Sequence, residues 1–561
     1  MKIIKLLVIF QLVFWTFKKA DAQSLPVGTP AVEDYFRRLQ LFGKTDSTVS
    51  FMVRPIFPND VKAVKLSTDS IEDKFNLMGG RNKDHRAKPL FLTVLPVGLQ
   101  TEVNSHNPYG WNDGAMIPAK GFQTLATFGF YAEVGPLSVQ LKPEIVMAQN
   151  LAFETFNNNQ YDVIFARYYD IYNNIDLPVR FGQHSYTRAY WGQSAIRLNY
   201  KGLSVGLSTE NLWYGPGIRN SLLMSNSAPG FPHITLNTIK PIKTAIGSFE
   251  GQLIGGRLDN SNFAPLVPDH YYYGSDLYVP KPDNWRYLSG LVLTWQPKWV
   301  SGLFLGYAQT AQSYGYSLSG IKSYLPWFVP VKSTTAPDQP INAQDQLSSI
   351  FMRWIWAPEN AEIYFEYGHY NNRQDIYQSV LQPNNSRAYV AGLRKLLPFK
   401  QRTDQNIMIA VEVTQMQETS AAAVKSGQSW YVSQGIRQGY TNQGQPLGAG
   451  IGPGGNLQSV EVSWVSGLKK IGLQLERYVH NNDFYYYAFY DSQNYSQHWV
   501  DLALAFNGEW NYRNFIFNAK LQFINSLNYQ WALTQNGNDI TFSHQLHQYN
   551  VQLQTGITYR F

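Results

Sequence analysis

An all-β transmembrane barrel of about eighteen antiparallel strands, preceded by a short helical element, is the fold class this sequence predicts. Three observations predict it: a composition rich in aromatics but poor in charge, a last strand with alternating faces, and short connections that alternate with long ones. Tyr 37, Phe 32 and Trp 15 make the chain 15% aromatic, while only 15% of residues are charged and the mean hydropathy is slightly negative. Lipid-facing and lumen-facing residues cancel in such an average, which is how a membrane barrel reads. A secreted all-β protein is the competing reading, and the pattern along the chain separates the two.

The first 22 residues read as a signal peptide. Lys2 and Lys5 precede an apolar run from Leu6 to Phe17, and Ala20-Asp21-Ala22 offers small residues where a signal peptidase reads them, so cleavage is expected before Gln23. An anchor helix needs about 20 apolar residues. This run is broken by Gln11 and ends at Lys18-Lys19. No later stretch approaches spanning length. The chain has no cysteine, which excludes disulfides, thiolate chemistry and a lipid-anchored N-terminus. Loss of the leader, with its four lysines and one aspartate, lowers the formal net charge from +7 to +4. That is too mild to argue for nucleic acid.

Residues 23–88 read as an N-terminal periplasmic segment with a short helix. Thr29 can cap it, Pro30 fits its first turn, Glu33 and Asp34 complement its dipole and Gly43 can stop it. Tyr35, Phe36, Leu39 and Leu41 are expected to pack against the barrel mouth.

Residues 89–561 read as the barrel. In the last strand Val551, Leu553, Thr555, Ile557, Tyr559 and Phe561 share one face, and Gln552, Gln554, Gly556, Thr558 and Arg560 the other. A strand that ends the chain on Phe561 resembles the signal that barrel-assembly machinery recognises. Upstream, Phe515, Phe517, Ala519, Leu521 and Phe523 form an apolar face opposite Asn514, Asn518, Lys520 and Gln522, with Ile516 and Ile524 as defects on the polar side. Val500, Leu502, Leu504 and Phe506 make the preceding strand, and the link 507–513 makes the two a hairpin. Further tight links are expected at 133–136, 201–202, 296–302, 357–360 and 466–470. Long excursions lie at 104–121, 211–233, 259–287, 310–348, 371–386, 416–456, 479–498 and 525–549. This alternation is that of tight periplasmic turns and long outer loops. Counting Val163–Ile171 and Leu177–Phe181 as strands would raise the number to about twenty. Asn173-Asn174-Ile175-Asp176-Leu177-Pro178 reads instead as an insert folded against the wall.

The stretch 208–233, STENLWYGPGIRNSLLMSNSAPGFPH, interrupts this pattern. Leu203, Val205 and Leu207 face away from Ser204, Gly206 and Ser208, so Glu210 falls on the lumen side near the outer end of a strand. The kinks at 215–217 and 229–232 cannot continue a central strand. Irregular backbone at membrane depth must face water or pack inside the barrel. The loop is therefore expected to fold inward and narrow the lumen.

Several motifs carry a family resemblance: GWNDGAMIPAKGFQT at 110–124, GPLSVQLKPE at 135–144, NIDLPVRFG at 174–182, WGQSAIRLNY at 191–200, the 208–233 stretch, KPIKTAIGSFEGQLIGGRL at 240–258 and QGYTNQGQPLGAGIGPGGN at 438–456. In this order they resemble the capsule-assembly Wzi family. The resemblance implies a lectin-like barrel in the outer membrane of a Gram-negative bacterium that helps bind or organise capsular polysaccharide, without catalysis. It implies as partners outer-membrane lipid, capsular or exported polysaccharide, the barrel-assembly machinery and other outer-membrane proteins.

The residues themselves supply sugar-binding chemistry, in which aromatic faces meet C–H surfaces and polar groups bond hydroxyls. Glu210, Asn211, Trp213, Tyr214, Arg219, Asn220, Asn226 and His233 bring this inventory together, and Tyr109, Trp111, Asn112 and Asp113 offer a second set in an outer loop. A structural reading stands beside it. Glu210, Arg219, Arg197 and Arg257 would form a lumen charge network, Trp213 would pack the loop, and Trp111 would join an aromatic girdle. The sequence holds no G-x-S-x-G elbow, H-E-x-x-H or EF-hand loop, and Ser543 and His544, as neighbours on a strand, point to opposite faces. His184, His233, His369 and His480 lack ligand spacing, so neither a metal nor a cofactor is expected. A passive diffusion channel or a scaffold subunit is the alternative function.

Overall fold

The computed structural model describes residues 23–44, 48–57, 90–156, 160–266, 268–325, 344–370, 386–426, 429–490, 498–532, 534–536, 539–541 and 547–561. The leader, residues 58–88 of the N-terminal segment and the Ser543-His544 pair lie outside them.

Period-two alternation builds the wall, an 18-strand antiparallel closed barrel. Its first strands are β1 Leu90–Asn104, β2 Gly121–Val134, β3 in two halves (Leu137–Leu141 and Glu144–Ala148), β4 in two halves (Tyr186–Tyr190 and Ala195–Tyr200), β5 Leu203–Ser208 and β6 His233–Thr238. The middle strands are β7 Gly247–Leu258, β8 Arg286–Pro297, β9 Leu303–Tyr314, β10 Gln344–Trp356, β11 Ala361–Tyr370 and β12 Arg387–Phe399. The last are β13 Arg402–Gln415, β14 Asn456–Ser466, β15 Lys469–Val479, β16 Val500–Tyr512, β17 Phe515–Leu527 and β18 Gln548–Tyr559. β18 pairs with β17 on one side and with β1 on the other, from Val97↔Tyr559 to Asn104↔Gln552, and this seam closes the barrel.

Leu502, Leu504 and Phe506 of β16, Phe515, Phe517, Leu521 and Phe523 of β17, and Val551, Leu553 and Ile557 of β18 are all exposed on the outer face. Gln522 and Gln552 point into the lumen and are buried there. No described helix is long and apolar enough to cross a membrane.

The connections alternate as expected. One end carries tight turns such as Lys201-Gly202 and Gly467-Leu468, with Lys201 and Gly467 at positive φ (47° and 57°). Two details differ from the sequence reading. β16 and β17 run on to a turn at Arg513-Asn514, because Arg513 takes the left-handed conformation at φ 51°. Residues 149–185 form a further long connection containing a helix, Asp162–Tyr172, whose Ile164, Phe165, Tyr169 and Tyr172 are buried at helical rather than strand spacing. Neither Val163–Ile171 nor Leu177–Phe181 is a wall strand.

α1, Pro30–Leu41, opens the described chain. Thr29 does not cap it, since its hydroxyl donates to the Pro26 carbonyl at 2.8 Å. Gly43, at φ 66°, ends it: Gly43 N–H donates to Gln40 O and Lys44 N–H to Leu39 O, each at 3.0 Å, which is a Schellman motif. The helix lies within the lumen at the tight-turn end, where Arg38 Nη1 donates to the carbonyl of Gly467 at 2.9 Å. Phe36 and Leu39 pack with Leu25, Val49, Phe51 and Ile56 against Ile516 of β17. Ile516 and Ile524 are therefore docking points for what fills the barrel: Ile516 meets the N-terminal segment, and Ile524 joins the large internal core.

Candidate functional site

The lumen is filled at successive levels, each anchored to lumen-facing charges of the wall. At the tight-turn end Glu362 of β11, fully buried, accepts from Arg37 Nε of α1 at 2.8 Å and from Arg353 Nε of β10 at 2.6 Å, with Arg394 Nη1 of β12 at 3.6 Å. Asp34 of α1 joins Arg394 and, at 2.7 Å, Arg38. Burial would raise the Asp34 carboxyl, but the Arg394 and Arg38 guanidinia outweigh it and hold the group well below the ordinary range. Arg353 Nη1 also donates to Gln40 Oε1 at 2.6 Å and to the Ser50 carbonyl at 2.9 Å. The polar face of α1, whose Asp34 the sequence assigned to the helix dipole alone, is thus bonded to the wall.

The second level is the 208–233 stretch, and its two kinks and stiff aromatics are explained by what they touch. Trp213-Tyr214 pairs antiparallel with Val53-Arg54 of the N-terminal segment, and the Arg54 guanidinium lies 4.7 Å from the Trp213 ring centroid. Gly215 N–H donates to Met52 O at 2.9 Å, and Arg54 bonds Glu33 at 2.9 Å. Backbone N–H groups of Ile218, Arg219 and Asn220 converge on the Glu412 carboxylate at 2.7, 2.9 and 2.9 Å, an anion nest turned inward. Arg219 reaches Glu461 and Gln474, each at 2.6 Å. Glu210 takes the hydroxyls of Ser24 and Ser208 and the guanidinium of Arg197. Asn211 donates to Asn226 Oδ1 at 2.7 Å, and His233 Nδ1 meets the Phe231 carbonyl at 2.8 Å. Glu210, Asn211, Trp213, Tyr214, Asn226 and His233 are all buried.

The loop carrying Tyr109, Trp111, Asn112 and Asp113 does not project outward as the sequence reading placed it. Asn104 Nδ2 donates to Tyr109 O and Ala119 O, each at 3.1 Å, Gly114 N–H donates to Asn226 O at 2.8 Å, and these bonds draw the loop into the lumen. Trp111 is half-buried between Tyr109 and Tyr478, both ring centroids 5.5 Å away. Burial, with Glu102 adding to it, pushes the Asp113 carboxyl well above the usual range. Between this loop, Ile218-Arg219 and α1 lies a cavity of about 290 Å³ that both Trp111 and Arg219 line. Of the sequence-chosen residues, Trp111, Asp113, Arg219 and the 210–233 set share the interior with one another. None of them forms part of the outer face. Arg257, by contrast, pairs with Asp259 on the surface.

The outer level combines α2 (Asp162–Tyr172), α3 (Ser420–Ser426), α4 (Asn482–Ala488) and the 429–455 run. Trp430, Tyr431 and Tyr440 are fully buried. Arg286 Nη1 of β8 donates to the Gly439 carbonyl at 2.8 Å, so the QGYTNQGQPLGAGIGPGGN motif serves as lumen packing. Above it α2 and α4 stack aromatics: Phe156 on Tyr168 at 4.7 Å, and Phe484 edge-on to Trp531 at 4.9 Å. On the surface of this layer the Arg167 guanidinium lies 4.4 Å from the Tyr487 centroid, and Tyr487 Oη accepts from Arg167 at 2.6 Å and donates to Asp170 at 2.8 Å. Lys281 lies 4.6 Å from the Tyr172 ring, and Tyr273 is 91% exposed. Sequence reading missed this group. Its one signal was the tyrosine run at 168–172, which strand periodicity concealed.

Two buried carboxyls tie α4 to the loop after β13. Glu418 N–H donates to Asp483 Oδ1 at 2.8 Å, and Glu418 Oε2 accepts from Ser386 N–H at 2.9 Å. Burial, reinforced by Asp483, pushes Glu418 up to about 8, and burial pushes Asp483 up to about 7. In the unfolded chain these groups titrate near pH 4. Between there and the folded values the unfolded state binds fewer protons, so the stability of this layer is full in acid and falls as pH rises. Amide exchange in 482–488, corrected for its intrinsic pH dependence, should speed up from about pH 5 to pH 8. Glu418→Gln with Asp483→Asn should flatten that rise, and a flat wild-type profile would refute the coupling.

A family model described as capsule assembly protein Wzi matches residues 100–532. No curated protein matches the chain. Among solved structures the chain is similar to Escherichia coli Wzi, an outer-membrane protein involved in group 1 capsule assembly and a carbohydrate-binding β-barrel, at 13% identity over 96% of this chain and 100% of that one, with a TM-score of 0.60. Acinetobacter baumannii OccAB2 (10% identity, 83% of this chain and 98% of that one, TM-score 0.40) and Pseudomonas aeruginosa OpdQ (8%, 83% and 96%, 0.38) also match, at lower structural similarity. With its lipid-facing strands and filled lumen, this outer-membrane barrel belongs to the capsule assembly Wzi family.

Proposed function

We propose that the barrel binds capsular or other exported polysaccharide at its outer face and helps organise it on the cell surface, by binding alone and without a catalytic step. The observation that carries this reading is the filled lumen, which leaves the outer layer as the working surface: α1, the 208–233 stretch and the 429–455 run occupy the interior that a diffusion channel needs open. E. coli Wzi, a carbohydrate-binding barrel of the same fold, supports the ligand class. The proposed contacts are Arg167, Asp170 and Tyr487, with Tyr273 and Lys281 at the margin, since these offer aromatic faces beside hydroxyl-bonding groups. Trp111 and Trp213 serve the interior. Lipid meets the apolar belt, the barrel-assembly machinery takes the last strand during insertion, and further outer-membrane proteins join at the same outer loops.

Arg167→Ala combined with Tyr487→Ala should weaken polysaccharide binding about tenfold, the equivalent of one lost stacking and cation contact. Retention of polysaccharide on cells should fall in parallel at normal barrel levels. Unchanged binding and retention, together with steady single-channel conductance of the wild type in planar bilayers, would favour the channel reading instead.

A further inference from the structure

Cleavage at the expected site would make Gln23 the first residue of a chain whose start lies inside the barrel. Gln23 and Ser24 are each 2% exposed. Leu25 N–H donates to Ile56 O at 2.8 Å, and the Ser24 hydroxyl donates to Glu210 while accepting from Gln140 Nε2 at 2.9 Å. Gln23 borders a cavity of about 120 Å³, whose wall includes Gln140, Glu144 and Gln193 together with the charged Asp113, Lys142 and Arg560.

Two acceptors on its wall lack a hydrogen-bond donor. Glu144 Oε1 accepts from Gln193 Nε2 at 3.0 Å, but Glu144 Oε2 is buried without a partner, and so is Gln140 Oε1. Lys142 lines the same cavity yet makes no hydrogen bond to that oxygen. A buried carboxylate oxygen left unpaired is costly, and the group that would relieve it is a cation with several N–H donors. Hydrolysis of the Ala22–Gln23 amide adds water across the bond and leaves a carboxylate on Ala22 and an ammonium, with three N–H donors, on Gln23.

We propose that the Gln23 α-ammonium docks in this cavity against Glu144 and Gln140, so that leader removal creates the charge that locks the N-terminal plug in place. The precursor offers only an uncharged amide N–H at that position, with one donor in place of three and no charge for the carboxylate. Ser24 on Glu210 passes the lock on to the 208–233 stretch, which binds the plug through Trp213 and Arg54. An amine held as ammonium is also a poor nucleophile toward its own side-chain amide, so cyclisation of Gln23 is suppressed.

The test uses the mature barrel purified from outer membranes. Intact mass should give a chain beginning at Gln23 without loss of ammonia. An amine-acylating reagent should modify the Gln23 amine about tenfold more slowly in the folded barrel than after heat unfolding. The pH profile of that reaction should place the folded ammonium above the ordinary value of about 8. Glu144→Gln should bring the profile back toward that value while heat-modifiable migration is retained. A chain starting elsewhere, a cyclised Gln23, equal acylation rates in folded and unfolded protein, or a profile unchanged by Glu144→Gln in a folded barrel would each overturn the proposal. The wild-type comparison decides even if the variant fails to fold.

Discussion

Replacing Glu362 with Gln is expected to destabilise the docked plug by about 3–5 kcal/mol, because removing one partner of a buried ion cluster strands the others. Glu362 is fully buried and faces Arg37, Arg353 and Arg394. Glutamine keeps the shape and loses the charge, so Arg37 and Arg353 lose the carboxylate they pair with, and Arg394 is left with Asp34, which already serves Arg38. Since Arg37 is the one of the three that belongs to α1, repulsion should act first on the helix rather than on the wall. The readouts are protease cleavage within 30–54 of the assembled barrel and its thermal transition. Adding Arg37→Met should recover part of the loss, as contacting residues do not contribute additively. Cleavage and transition indistinguishable from wild type would show that α1 is held by its apolar face alone.

Deleting Tyr559 to Phe561 is expected to abolish stable insertion altogether. Tyr559 pairs with Phe515 of β17 and with Val97 of β1, so it sits on the seam where the barrel closes. Its ring lies 4.9 Å from Phe515 and 5.1 Å from Phe561, and Arg560 N–H donates to Asn514 O at 2.9 Å. Truncation opens hydrogen-bonding edges that lipid cannot satisfy. Heat-modifiable barrel in the outer membrane of the truncated strain, at wild-type amount, would disprove this role of the terminus.

What was legible in the sequence was whatever depends on near neighbours. The two-residue period of β16, β17 and β18 marks their lipid faces, tight turns and long loops give the strand number, and the Pro30 and Gly43 boundaries of α1 are local chemistry. The 208–233 stretch could be read as folding inward for the same reason, since its prolines and glycines cannot continue a strand at membrane depth. Its partners could not be read. Trp213 meets Arg54, Glu412 receives the 218–220 amides and Glu362 takes Arg37 of α1, all across separations in the chain that no periodicity records. Ile516 looked like a defect because a lumen-facing isoleucine makes sense only once α1 lies against it. Trp111 looked like an outer-loop anchor because a loop's direction is set by the groups that capture it, here Asn104 and Asn226, and not by its own composition. Alternation along a strand determines which face meets lipid, while the contents of the lumen follow from charges on distant strands that must be neutralised where water is excluded.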